Sequence, residues 1–404
     1  MPIYVGLDIG KENHMVCAVS DQDEIMLHPF PVENSLSGVE LFTAKVKALA
    51  PLDQILVGME ATGHYWQCFF LQLQASGFSV CLINPYQTNH FAKTNLKRAK
   101  TDKVDALTIA RFLAKAKPSP TQLPEELIMV QRELSRLRDS LVKNRSALSN
   151  QLQGVLDRAF PEFVRIIKDP TSETALAILQ RYPSASALKK AKLGKIQNIT
   201  YGKKRHRIGP ALASALKNQA KQSIATDYAH TAYEIEIRSL IAQIRLLNEQ
   251  ILEVEKKLKE QFSGLNLDNL LSIGGLGIIS VTSLVAEIGD IHKFSSPKKL
   301  VAHLGVCPKE SQSGKYRNPN PRMSKMGNSR VRAVLYRACI SAIRFNPVIR
   351  EFYLRLLAKG KPKKLAICAC MRKMIYLFWA IWKYQRTFDA SFAQMCTCEA
   401  SIRK

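Results

Sequence analysis

Apolar residues follow two rhythms along this chain, and the change between them divides it. Up to residue 116 the apolar runs are short and separated by turn residues. The stretches 3–8, 13–19 and 24–32 read as three strands with tight connections. A helix over 35–50, a strand over 54–60, a helix over 63–76, a strand over 79–84 and a helix over 102–115 follow. Strands that alternate with helices in this way predict an open α/β sheet. Pro118 and Pro120 close the segment, because the residue before a proline is held out of the helical region.

From residue 121 the rhythm lengthens. Leu127, Leu134, Leu141, Leu148 and Val155 recur every seventh position, with Val130 and Leu137 between them. Ile237, Leu240, Ile244, Leu247, Ile251, Val254 and Leu258 repeat the pattern. Such seams predict coiled-coil helices, paired with each other as an antiparallel hairpin and also joining protomers. A third region, largely helical, begins near 264. Leu270 to Gly277 followed by a helix over 278–288 fits either a helix–hairpin–helix that offers amides to phosphate or an ordinary glycine turn. The expected divisions are an α/β domain over 1–118, coiled-coil helices over 119–263 and a helical C-terminal domain over 264–404. The aromatic cluster Tyr376, Phe378, Trp379, Trp382 and Tyr384 reads as helix core.

The formal net charge of +26 narrows the partners to polyanions, nucleic acid first. Between 174 and 226 there is no Asp or Glu, while Lys203, Lys204, Arg205 and Arg207 cluster there. A basic insertion over about 160–225 is therefore expected to contact nucleic acid, with Tyr201 and His206 placed to stack on bases. No apolar run reads as long enough to span a bilayer, and the first residues resemble a strand rather than a signal segment, which predicts a cytoplasmic protein without a membrane partner. Nine scattered cysteines argue against a disulfide framework, and Cys17, Cys68, Cys81, Cys307 and Cys339 read as buried thiols. In Cys368-Ala369-Cys370 and Cys396-Thr397-Cys398 one intervening helical residue points the sulfurs apart, which argues against zinc.

Four acids change the picture most. Asp8 and Glu60 each end an apolar run, and Asp102 and Asp105 lie three apart at a helix start. Strand ends are where open sheets present functional groups, and an i,i+3 pair shares a helix face. Carboxylates gathered there repel unless cations neutralise them, and hard oxygen donors suit one or two Mg²⁺. With three hairpin-like strands in front, the acids fit a ribonuclease-H-like sheet. A bland reading exists for Asp102, which can simply be the helix N-cap.

These residues carry a family resemblance. Asp8-Ile9-Gly10-Lys11, Glu60-Ala61-Thr62-Gly63-His64-Tyr65, Asn84-Pro85 and Lys100 to Ala106 resemble the N-terminal signature of the insertion-sequence one-ten family, the DEDD transposases. Gly305-Val306-Cys307-Pro308, Ser313-Gly314 and Arg322 to Asn328 resemble its C-terminal domain, in the expected order. The resemblance implies a RuvC-like catalytic domain carrying Asp8, Glu60, Asp102 and Asp105, followed by coiled-coil helices and a mostly α-helical C-terminal transposase domain. It implies a serine that forms a 5′-phosphoserine link to DNA. Ser313 matches that position, with Ser311 and Ser324 as neighbouring competitors. It also implies a structured guide RNA encoded by the element, donor and target DNA, a tetramer built as a dimer of dimers, and action at the bacterial nucleoid. The segment near 160–225 is longer than in compact members, which suggests an added RNA- or DNA-binding insertion.

On this reading Lys11, Lys100, Lys315, Arg322, Lys325 and Arg330 are candidate phosphate contacts beside the basic insertion. Three other classes compete. A junction-resolving endonuclease would use the acids and water, leaving Ser313 dispensable. An actin-type ATPase would share Asp8-Ile9-Gly10 but needs later nucleotide motifs that the chain lacks. A purely structural RNA-binding protein would leave the acids unexplained.

Overall fold

The first apolar run forms the middle of a five-stranded sheet. The computed structural model describes residues 1–61, 63–94, 101–226, 228–263, 267–309, 312–313, 316–317 and 322–390. The chain divides into two units, Met1–Leu123 and Pro124–Lys404.

In the first unit, β1 (Ile3–Asp8), β2 (Asn13–Ser20) and β3 (Ile25–Glu33) form an antiparallel meander. After α1 (Leu36–Lys47), β4 (Ile55–Glu60) pairs parallel to β1. After α2 (Trp66–Ala75), β5 (Ser79–Ile83) pairs parallel to β4. Then come α3 (Pro85–Thr94) and α4 (Asp102–Ala116). The strand order β3-β2-β1-β4-β5 is the ribonuclease-H-like sheet that the pattern predicts. The helix over Pro85–Thr94 is additional, because polar residues dominate it and no apolar stripe announces it.

Alternation along the strands sorts this core into two layers. Val5, Leu7, Val57 and Met59 face Phe42 of α1 and Phe69, Phe70 and Leu73 of α2. Tyr4, Cys81 and Ile83 face Ile109, Ala110 and Leu113 of α4. Full burial of each such phenylalanine contributes about 2–3 kcal/mol. Cys68 corrects an expectation. It is exposed, because α2 turns Phe69, Phe70 and Leu73 to the sheet and leaves position 68 outside.

The second unit is built on two long helices. α5 (Glu126–Ala159) leads into α6 (Phe163–Ile166), α7 (Glu173–Arg181), α8 (Ala185–Lys190) and α9 (Leu193–Gln197). A hairpin, β6 (Thr200–Tyr201) and β7 (His206–Arg207), precedes α10 (Pro210–Lys221) and α11 (His230–Gln261). α5 and α11 pack antiparallel: Gln131 Nε2 donates to the Gln261 carbonyl, Arg138 pairs with Glu255, and Arg145 donates to Asn248. The heptads foretell this hairpin, but not its facing. Leu127, Val130 and Leu137 are exposed, whereas Leu152, Val155 and Leu156 are buried.

The last region holds α12 (Asp268–Leu271), α13 (Ile278–Ile288), α14 (Pro297–His303), the hairpin β8 (Gln312–Ser313) and β9 (Tyr316–Arg317), α15 (Ser329–Phe345), α16 (Pro347–Ala358) and α17 (Lys363–Tyr384). The glycine turn before α13 serves packing. A Cβ on Gly275 (φ +98°) would lie 2.5 Å from Ala342 Cα, so the glycine lets α15 approach. α17 corrects the membrane reading in one respect: by length and composition it could cross a bilayer. It packs against α14, α15 and α16 and buries Cys370, Met374 and Phe378.

Candidate active site

Asp8 and Glu60 sit at matching places on neighbouring strands. The parallel register pairs Gly6 with Gly58 and Leu7 with Met59, so the next positions are Asp8 and Glu60, each closing its strand. Adjacent strands lie about 4.8 Å apart, and positions two apart share a face. Asp8 therefore lies on the face of Tyr4 and Gly6, and Glu60 on the face of Leu56 and Gly58. That face is covered by α4, which comes so close that a Cβ on Gly6 would stand 2.2 Å from the Ala106 carbonyl oxygen. Both acids are half-buried. The Thr88 hydroxyl lies 3.1 Å from Glu60 Oε2 and 3.0 Å from the Pro85 carbonyl, and its single proton serves one of them at a time.

The direction of α4 decides which end carries Asp102 and Asp105. Its C-terminal half is tied to the β2–β3 turn by Arg111 with Asp23 at 2.7 Å, and Lys117 just beyond it pairs with Asp21 at 2.8 Å. That turn lies beside the start of β1, where Ile3 pairs with Ser20. The first turn of α4 therefore lies over the end of β1, where Asp8 is. Thr101, not Asp102, is the N-cap: its side chain accepts from the Val104 amide at 3.4 Å. Asp102 is exposed and Asp105 half-buried in the first turn, where negative charge also meets the helix dipole.

All four acids thus occupy one end of one sheet face. Their donor set, hard oxygens only, fits a divalent cation in kind. The side chains do not close round a point: among the described residues no three His, Cys, Asp or Glu form a group that could hold a metal. Lys11 is exposed in the turn just past Asp8, while Lys100 lies outside the described residues.

Ser313 belongs to a ribbon in the second unit. The Lys309 amide donates to the Arg322 carbonyl at 2.7 Å and the Ser324 amide to the Cys307 carbonyl at 2.8 Å. Pro308 bridges Met323, and beyond them Ser313 pairs with Tyr316 in the two-residue hairpin. The ribbon base is tight: a Cβ on Gly327 (φ +145°) would stand 2.3 Å from the His303 carbonyl oxygen. Arg332 Nη1 donates to the Leu304 and Gly327 carbonyls. Ser324 is engaged in the stem, accepting from the Met326 amide at 3.4 Å and from the Cys307 thiol at 3.6 Å. Arg322, Lys325 and Arg330 are exposed near this base; Ser311 and Lys315 lie outside the described residues.

The sequence reading missed the group that holds the base. Glu287 accepts from Arg136 Nε at 2.9 Å, from Arg136 Nη2 at 3.1 Å and from Asn328 Nδ2 at 2.7 Å. Arg132 Nε lies 3.8 Å away. Only the loop glycines and Asn328 were visible as a motif. Glu287 is distant in sequence from every partner, so spacing carried no signal. Of the C-x-C cysteines whose spacing argues against zinc, Cys370 is buried and Cys368 half-buried, and burial raises the pKa of both; Cys396 and Cys398 lie outside the described residues.

Two family models match the chain. A DEDD transposase model of the IS110 family covers residues 5–161, and the transposase model of the IS116/IS110/IS902 family covers 267–354. The chain is 22% identical over 388 residues to an insertion element IS116 protein of Streptomyces clavuligerus, covering 96% of each. It is 25% identical over 391 residues to the pilin gene-inverting protein of Moraxella bovis, covering 96% of this chain and 97% of that one. It is 24% identical over 395 residues to the transposase for insertion sequence element IS1111A of Coxiella burnetii, covering 95% and 90%. Among solved structures, T. thermophilus RuvC in complex with Holliday junction substrate matches with a TM-score of 0.24 at 15% identity, over 30% of this chain and 99% of that one.

Proposed function

This chain belongs to the IS110 family of transposases, and from that premise we propose that it cuts and rejoins DNA through a serine-linked intermediate. The observation that carries the reading is the register-matched pair Asp8 and Glu60 beneath the first turn of α4. Its relatives include a transposase and a gene-inverting protein. Moving and inverting a segment both require strands to be broken and resealed.

Asp8, Glu60, Asp102 and Asp105 are the residues that would hold one or two Mg²⁺, which supply charge neutralisation at the phosphate. Ser313 Oγ attacks phosphorus, the bond from phosphorus to the 3′ oxygen breaks, and that oxygen leaves with the proton as a 3′ hydroxyl. The 5′ end is then an ester of Ser313. Attack by the 3′ hydroxyl of the other strand restores a phosphodiester and returns the proton to serine. The ester keeps the bond energy, so no nucleotide cofactor is needed. A serine hydroxyl is a weak nucleophile at its ordinary pKa, so it must be deprotonated as it attacks. Ser313 is favoured over Ser324 because the Ser324 hydroxyl is engaged in the ribbon stem. An element-encoded guide RNA that pairs with donor and target, and a tetramer, complete the proposal. The exposed Leu127, Val130 and Leu137 of α5 support the oligomer.

The test is a covalent adduct. Full-length protein, the parent element's DNA and RNA and Mg²⁺ are combined, then resolved under denaturing conditions, for wild type and Ser313→Ala. An adduct lost in the variant supports the reading. Cleavage that survives Ser313→Ala with no adduct in either protein makes this a hydrolytic junction-resolving nuclease.

A further inference from the structure

Residues 162–266 lie between the two stretches that the family models match. Part of this interval folds round a core of its own, where Phe163, Leu176, Leu188, Ile196 and Leu216 pack against the far end of the long helices. From that core the β6–β7 hairpin projects Lys203, Lys204, Arg205 and Arg207, all exposed. The Arg205 amide donates to the Gly202 carbonyl at 3.0 Å, closing the turn, with Gly202 at φ +70° and Arg205 at φ +50°. Tyr201 and His206 brace the hairpin with ring centroids 5.9 Å apart, so they meet each other.

Among the described residues, none of these four cations forms an ion pair. The ion pairs of this unit fall elsewhere, among them Arg136 with Glu287, Arg138 with Glu255 and Arg158 with Glu236. One carboxylate, Glu173, does stand at the turn, its Oε2 2.8 Å from where a Cβ on Gly202 would lie. Cations outside any ion pair on a narrow projection have a shape as well as a charge. Two strands about 4.8 Å apart, with their side chains, match the ~12 Å major groove of B-form DNA, which admits a two-stranded ribbon. The major groove of A-form RNA is too deep and narrow to admit side chains.

We propose that the β6–β7 hairpin enters a groove of duplex DNA and holds it through Lys203, Lys204, Arg205 and Arg207. This is a second DNA-binding point, outside both matched segments, and it rests on DNA being the chain's substrate. Its contacts are to phosphate, so it holds duplex of any sequence.

The experiment is an equilibrium titration of the full-length protein with a short labelled duplex of arbitrary sequence, in EDTA, over a series of salt concentrations. Without divalent cations no strand is cut, so the result does not depend on the serine chemistry. For the variant Lys203→Ala/Lys204→Ala/Arg205→Ala/Arg207→Ala, the slope of log affinity against log salt becomes shallower by about 3.6, and affinity at low salt falls about tenfold or more. Arg205→Gln alone shifts the slope by about 1. Duplex RNA of the same sequence loses less. Unchanged slope and affinity in both variants would overturn the proposal. So would a larger loss with RNA than with DNA, which would assign the hairpin to the RNA.

Discussion

Asn328 works in two directions at the base of the serine ribbon: its Nδ2 donates to Glu287 Oε2 at 2.7 Å, and its Oδ1 accepts from the Arg330 amide at 2.9 Å. One side chain thereby caps α15 and ties it to α13. Glu287, its side chain 5% exposed, is held from the other side by Arg136 and Arg132 of α5. Glu287→Gln leaves two arginines facing a neutral amide. The expected cost is about 2–3 kcal/mol in urea unfolding, since hydrogen bonds to charged groups are worth that much. Asn328→Ala loses the cap as well and costs at least ~1 kcal/mol. Adduct formation should fall in both even where the protein is fully folded; an undiminished adduct would separate the ribbon base from the chemistry.

Asp8→Asn and Glu60→Gln test the sheet edge. Each removes one carboxylate from a like-charged set, so stability should hold or rise slightly. Adduct formation should fall by a factor on the order of 10³, the loss typical when charge stabilisation is removed from a reaction centre. Thr88→Val should give a smaller loss, because it removes only the hydroxyl beside Glu60 Oε2. Wild-type rates in Asp8→Asn would remove that residue from the site.

Gly6→Ala tests the close approach of α4. The new methyl would meet the Ala106 carbonyl oxygen at 2.2 Å and the Ala110 amide nitrogen at 2.5 Å, both backbone atoms that cannot rotate away. The helix must lift from the sheet, at a cost of about 1–3 kcal/mol. Because the same helix carries Asp102 and Asp105, thermal melting and adduct yield should fall together.

Much of that edge was legible in the sequence, for a physical reason. Asp8 and Glu60 each end an apolar run, and the strand period carries them to one face without further information. The long helices were legible too, but not which side of α5 is covered. A heptad names apolar positions, and only the fold shows that Leu127, Val130 and Leu137 are left exposed. Glu287 was illegible because its partners come from α5 and from the loop before α15, distances that no local pattern encodes.

Burial sets an acid limit on folding. His14 is buried with its ring edge-on to Phe69 at 4.6 Å, and burial lowers its pKa; burial lowers that of His303 as well. A histidine depressed in the folded state binds its proton more readily when unfolded. Stability from these groups is therefore complete above the unfolded value of about 6.5 and is lost as pH falls below it, by up to ~1.4 kcal/mol per unit for each. Melting temperature should drop between neutral pH and pH 5, and His14→Phe should flatten part of that drop. A pH-independent melting temperature over this range would contradict it.

The antiparallel pairing of α5 and α11 is also a ruler. The 34 residues of α5 span about 50 Å at 1.5 Å each. At one end lies the core beneath the cationic hairpin, and at the other lies Glu287 with the ribbon base. Laid along B-form DNA, that length corresponds to about 15 base pairs. A duplex held at both ends would be touched at two points set by helix length, not by base sequence. Inserting one heptad into each helix would move the outer point by about three base pairs.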